Sequence, residues 1–315
     1  MFIVTHRKIF YIISGLLFAA SLAALAVWGL KPGIDFKGGS LFEVTYPDGR
    51  PEKAEVEKAL ASLDVGASVR PTGEKGFTRT NFAEQNLRGY IIRMKDLTES
   101  EQTAVREAVS FEGKQKIVEE RFDTVGPLLG REAVGKSLVA IVLVILCIVI
   151  FITFAFRKVS EPVASWKYGI ITVLALVHDV LVPAGVFAVL GHYAEYEVDT
   201  LFVTALLVVL GFSVHDTIVV FDRVRENLRI SHEVRDRKDF GTIVGESIAQ
   251  TLTRSINTSL TTLLAVVVLY VVGPESTKLF ALALGIGIIA GTYSSIFLGS
   301  PLLVTVQKWQ ARKNP

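Results

Sequence analysis

The sequence predicts an α-helical polytopic membrane protein with one folded α+β domain outside the bilayer. Half of the 315 residues are hydrophobic and the mean hydropathy is +0.46, yet the apolar residues are gathered into separate runs. Residues 9–30, 137–156, 255–274 and 279–307 carry no charge over lengths at or above the roughly 20 residues a helix needs to cross hydrocarbon. Residues 168–191 and 200–221 are as apolar, apart from His178-Asp179 and His215-Asp216. That gives six transmembrane helices. Residues 31–133, between the first run and the second, have a soluble, charged composition.

Charge placement orients the spans. Lys and Arg cluster at Arg7-Lys8, at 157–167, at 222–254 and at the C-terminal end, whereas the short loops 191–199 and 273–278 hold Glu195, Glu197, Asp199 and Glu275 against Lys278 alone. The positive-inside rule then puts both termini in the cytoplasm and residues 31–133 outside. The layout is a cytoplasmic N-terminus and first helix (1–30), an extracytoplasmic domain (31–133), a five-helix membrane domain (134–307) and a cytoplasmic tail (308–315). The first run ends in a small-residue stretch that a cleaved signal would also show. Its uncharged length exceeds an h-region of about 7–15 residues, and the charge layout needs it as a span, so a retained helix is expected. Cys147, the one cysteine, falls in the second run and is expected as a small apolar packing residue.

Within 31–133 two amphipathic helices are legible, at 51–63 and at 98–111, the second opening on a capping box of Thr98 and Glu101. Strand patterns occupy 40–46, 65–71, 87–94 and 114–122, and residues 72–86 read as a mobile loop. The order β-α-β-β-α-β is the ferredoxin-like split β-α-β arrangement. The domain has no histidine, no cysteine and no metal-ligand cluster, so binding or movement against a partner is expected rather than catalysis. No catalytic residue, metal or cofactor is expected in the chain.

In the membrane part, Ala283, Gly287, Gly291, Ser295 and Gly299 recur at spacing four, a small-residue stripe that lets helix backbones approach. Gly15, Ala19 and Ala23 give the first helix a shorter version. Asn257, Thr258, Thr261 and Thr262 add polar groups to the fifth helix, either closing backbone bonds or lining a polar pathway. Phe240, Val244, Ile248 and Leu252, within the cytoplasmic segment 222–254, suit an amphipathic helix on the inner membrane surface.

The two His-Asp pairs carry the functional signal. A charged side chain at mid-bilayer costs at least about 2.5–3.5 kcal/mol on insertion scales. Asp216 and Asp179, each with a histidine neighbour (His215, His178), therefore read as proton-transfer groups, the alternative being a fixed polar lock between helices. Adjacent residues on a helix point about 100° apart, so one member of each pair faces a given partner. Arg254, the last charge before the fifth span, is the available cation for Asp216.

These motifs also carry a resemblance. "GIDFKGG" (33–39), with Asp35, Phe36, Gly38 and Gly39, "HD" in the third span, "DTIVVFDRVREN" (216–227) and "QTLTRSINTSLTTL" (250–263) resemble the SecF members of the SecD/SecF family, over essentially the whole chain. The family is similar to half of a resistance-nodulation-division transporter. The resemblance implies a proton-driven, non-enzymatic export subunit in the bacterial cytoplasmic membrane. Its partners would be SecD, the SecYEG translocon, YajC as a further candidate and an unfolded preprotein, with no nucleic acid. It also implies that Asp216 carries the proton and Arg254 assists. His215 stands where many relatives have Asn. It is either a second titrating group or a replacement hydrogen-bonding side chain. Two other classes stay open: half of a drug or lipid exporter, against which the single small outer domain argues, and a passive assembly factor.

Overall fold

The computed structural model describes residues 2–72, 89–155, 163–233 and 238–313. Among these, six helical stretches are long and apolar enough to cross a membrane. They are α1 (Arg7–Val27), α4 (Pro127–Ala155), α5 (Ser165–Tyr193), α6 (Thr200–Glu233), α7 (Phe240–Val272), and a last span. That span runs through α8 (Glu275–Tyr293), a π-helical turn (Ser294–Gly299) and α9 (Ser300–Lys313).

Between α1 and α4 lies a small antiparallel sheet with two helices, in the order β1 (Gly39–Thr45), α2 (Lys53–Ala61), β2 (Ser68–Pro71), β3 (Gly89–Met94), α3 (Glu99–Val109), β4 (Val118–Val125). The strand order is β2-β3-β1-β4 and each neighbouring pair is antiparallel. Alternation decides the faces: Phe42 and Val44 of β1 and Tyr90, Ile92 and Met94 of β3 turn inward. There they meet Val56 and Leu60 of α2 and Val105 and Val109 of α3. The capping box at α3 forms as expected. The backbone N–H and hydroxyl of Thr98 bond the Glu101 carboxylate and hold it down at about 2.

Three boundaries move. α2 starts at Lys53, not at 51, because Glu52 and Glu55 form their own reciprocal capping box while the Pro51 carbonyl accepts the Tyr90 hydroxyl at 2.6 Å. β4 starts four residues later than expected, since Phe111, Glu112 and Gly113 all take positive φ and carry the chain through a left-handed turn after α3. β2 keeps only Ser68–Pro71 of the predicted 65–71. Residues 73–88, which hold nearly all of the predicted loop 72–86, lie outside the described residues.

The segment 222–254 does not form one surface helix. α6 continues unbroken to Glu233, and α7 runs unbroken from Phe240 into the membrane span. The stripe of Phe240, Val244 and Ile248 is buried against Val224 and Leu228 of α6 and Leu303 and Val304 of α9, with Leu252 packed at its edge. Spacing four reports an apolar face and not what covers it.

The glycine stripe of α8 packs against α6 in a regular register. Gly287 faces Val209, Gly291 faces Ser213, and Ser295 hydrogen-bonds Thr217 across 3.1 Å. Both partners advance by four residues, so the two helices run parallel along this contact. A Cβ at Gly291 would stand 3.0 Å from the Ser213 Cβ, and one at Gly287 would overlap Val209 Cγ2. Gly299 is looser, its nearest neighbour being Ser294 O at 3.6 Å. Gly287→Leu is therefore expected to lower stability by about 1–3 kcal/mol or more through overpacking. Thermal unfolding in detergent would read the loss, and Val209→Ala in the same chain should return part of it.

Two packing expectations are corrected. Gly15, Ala19 and Ala23 are exposed, and a methyl group added at Gly15 would meet nothing within 4 Å; α1 instead packs through Ser14, Ser21 and Ala24. Ser21 lies so close to Gly185 of α5 that a Cβ there would meet it at 2.5 Å. Cys147 is exposed on α4, which turns most of its large apolar side chains outward.

Candidate functional site

The two intramembrane carboxylates are both buried but differently held. Asp179 Oδ1 meets His178 Nδ1 at 2.9 Å, and its Oδ2 accepts from Ser213 Oγ at 2.5 Å and Ser294 Oγ at 2.7 Å. The carboxylate is thus tied to its own helix, to α6 and to the π-helical turn. His178 Nε2 is buried without a hydrogen-bond partner among the described residues, beside the Tyr293 ring.

Asp216 has a poorer set. Ser259 Oγ of α7 stands 3.4 Å from its Oδ2 and 2.8 Å from the Ser255 carbonyl on its own helix. A hydroxyl has one proton to give, so Ser259 cannot serve both acceptors at once. Thr292 Oγ1 of α8 lies 2.6 Å from Ser259 Oγ and extends the chain of hydroxyls. An ionised Asp216 accepts from Ser259; a protonated Asp216 can donate to it. Rotation of one hydroxyl fits both states.

Four consecutive residues where α8 passes into the π-helical turn organise this region. Thr292 reaches Ser259 on α7, Tyr293 donates to the Phe10 carbonyl on α1, Ser294 reaches Asp179 on α5, and Ser295 reaches Thr217 on α6. A regular helix points successive side chains about 100° apart, so neighbours in sequence address different neighbours in space. The extra residue of a π turn loosens the backbone ladder there, a feature frequent at functional sites.

The remaining sequence-predicted residues fall elsewhere. His215 is exposed on α6, next in sequence to Asp216 but on another face. Arg254 is exposed and makes no ion pair among the described residues. It sits one residue, about 100° of turn, from the buried Ser255/Ser259 face. Thr258, Thr261 and Thr262 bond back to the carbonyls of Arg254, Asn257 and Thr258, and Asn257 is exposed away from Asp216. The hydroxyls that approach the carboxylates are those of Ser213, Ser259 and Ser294, with Thr292 behind Ser259. None of them stands out in the sequence, because serine and threonine are common packing residues in membrane helices. Their spacing to Asp216 and Asp179 exists only across helices.

The 33–39 motif lies at the sheet end of the bundle. Asp35 Oδ2 accepts from the Thr200 backbone N–H at 3.0 Å and from its hydroxyl at 2.6 Å, at the first residue of α6. Phe36 packs into the apolar cluster of Phe187, Phe202 and Leu206. Gly38 has φ +80 and no room for a Cβ beside the Pro127 backbone, 2.7 Å away; Gly39 has φ +128 against the Met94 carbonyl. The α5–α6 loop meets β3 through Arg93–Glu197 at 3.0 Å and the segment after α1 through Lys31–Glu195 at 2.7 Å. Burial pushes the Glu197 carboxyl above the usual carboxylate range, with the Arg93 charge opposing.

Comparison with known proteins bears on the chain's family and fold. The family model described as "Protein export membrane protein SecD/SecF, C-terminal" matches residues 105–309, and that of the SecD/SecF GG motif matches 23–46. The "Protein translocase subunit SecF" of Thermobaculum terrenum is 44% identical over 96% of this chain and 93% of its own length. That of a Synechocystis species is 37% identical over 97% and 94%. The crystal structure of SecDF from Thermus thermophilus superposes with a TM-score of 0.74 at 29% identity, over 97% of this chain. The chain spans 38% of that SecDF chain's length. The glycine motif and the six spans thus have one setting: this chain belongs to the SecD/SecF family of protein export membrane proteins.

Proposed function

We propose that this chain is a proton-driven export subunit. In this reading it lies in the bacterial inner membrane with both termini in the cytoplasm and its ferredoxin-like domain on the opposite side. It works with SecD, at the SecYEG translocon and with YajC as a further partner, to draw an unfolded preprotein outward using the proton-motive force. Asp216 takes up and releases the proton. The observation that carries the reading is the Asp216–Ser259–Thr292 hydroxyl chain, which suits a carboxyl group in either protonation state at a depth where fixed charge is costly. Asp179, with three partners, is the lock, and His178 is part of it. Arg254 is the mobile counter-charge. The exposed polar groups His215, Arg254, Asn257 and Thr261 need a polar cover within the membrane, which SecD would supply.

Inverted membrane vesicles depleted of the resident SecF test this. Supplying this chain with its own SecD should restore the gradient-dependent part of preprotein export. If export stays at the depleted level while both chains are inserted and associated, the reading fails.

A further inference from the structure

We propose that Asp35 is the positioning residue that transmits movement of α6 to the outer domain. The inference rests on the reading of Asp216 above as the proton carrier. α6 is one unbroken helix from Thr200 to Glu233, and Asp216 lies sixteen residues along it, about 24 Å at 1.5 Å per residue. What happens at Asp216 is therefore delivered mechanically at Thr200. Asp199 caps the same end through the Phe202 N–H at 2.8 Å, but it belongs to the α5–α6 loop itself. Asp35 comes from a different part of the chain, and its two bonds fall on Thr200 itself.

The segment that carries Asp35 is short and stiff. Gly33 N–H donates to the Val198 carbonyl and Val198 N–H donates to the Lys31 carbonyl, both at 2.8 Å, so Pro32 and Val198 form a one-residue parallel bridge. Seven residues after Pro32 the chain enters β1 at Gly39, one of the two inner strands of the sheet. The turn between them is fixed by Gly38 and Gly39 and by the close approach of Gly130 on α4, where a Cβ would meet the Gly38 nitrogen at 2.9 Å. No flexible linker intervenes between the α6 terminus and the centre of the sheet. The ion pair Arg93–Glu197 makes a second attachment, from β3 to the α5–α6 loop. A rotation or axial shift of α6 would carry the outer domain with it.

The test measures proton flux and export together, in vesicles holding the full chain with SecD. Asp35→Ala should cut gradient-driven export by about tenfold while proton flux persists, because the carrier is intact and the link is cut. Asp35→Asn, which keeps an acceptor oxygen for both Thr200 donors, should stay within about twofold of the parent. In a Cys147→Ala background, a disulfide between Pro32→Cys and Val198→Cys should leave export intact and should restore it to the Asp35→Ala chain. Bridged neighbours lie about 4.8 Å apart, within disulfide reach. Unchanged export in Asp35→Ala, or joint loss of flux and export, overturns the proposal. So does a disulfide that stops export, since the contact would then have to open during the cycle. If flux through Asp216 is absent in the parent, the proton reading fails instead; that result is separate from the Asp35 outcomes.

Discussion

Asp216→Asn is expected to remove gradient-driven export, a fall of at least about tenfold, while the protein stays folded and bound to its partners. The substitution keeps size and hydrogen-bonding capacity, so Ser259 still has a partner and the packing of α6 on α7 and α8 is undisturbed. What is lost is the exchangeable proton. Asp179→Asn should behave differently. Its three partners include two hydroxyls and an imidazole, all able to bond an amide oxygen or nitrogen, so export should fall less than in Asp216→Asn. Export assays of both variants, with and without an imposed gradient, separate carrier from lock. Equal losses would mean that the two carboxylates act as one relay.

Arg254→Ala is expected to lose most gradient-driven export, and Arg254→Lys to lose less. In the present structure Arg254 is exposed, about a quarter turn from the face that Ser255 and Ser259 present to Asp216. Rotation of α7 by about a quarter turn would bring the guanidinium onto the face that meets the carboxylate. A cation close by favours the charged carboxylate; its withdrawal favours proton uptake. The membrane potential supplies about 2.3 kcal/mol per charge per 100 mV, enough to work against a modest differential. Lysine keeps the charge and loses the planar fork of donors. Normal export in the alanine variant would reduce Arg254 to a positive-inside anchor of α7.

The division into spans and a sheet-bearing domain between the first two was legible because each rests on a one-dimensional signal. Charge-free runs mark helices, and the Thr98–Glu101 box marks the start of α3. Boundaries were less legible where a turn competes with a pattern, as at Phe111–Gly113, whose left-handed backbone delays β4. Spacing four in Gly287, Gly291 and Ser295 named the packing face correctly, since small residues there leave room for Val209 and Ser213. The same spacing misled at Gly15–Ala23, where the small residues face outward, and at Phe240–Ile248, where the cover is protein. Asp179 and Asp216 stood out because buried charge is rare. The serines that hold them did not, because a hydroxyl on one helix has no sequence signature of the carboxylate it meets on another.

Proton flux through vesicles holding this chain with SecD tests the central claim most directly. A pH-sensitive dye inside inverted vesicles reports proton exit after an acid-inside gradient is imposed in the presence of a translocating preprotein. The parent chain should pass protons, and Asp216→Asn should reduce the flux to that of vesicles lacking the complex. Flux of parental size in Asp216→Asn would contradict the account.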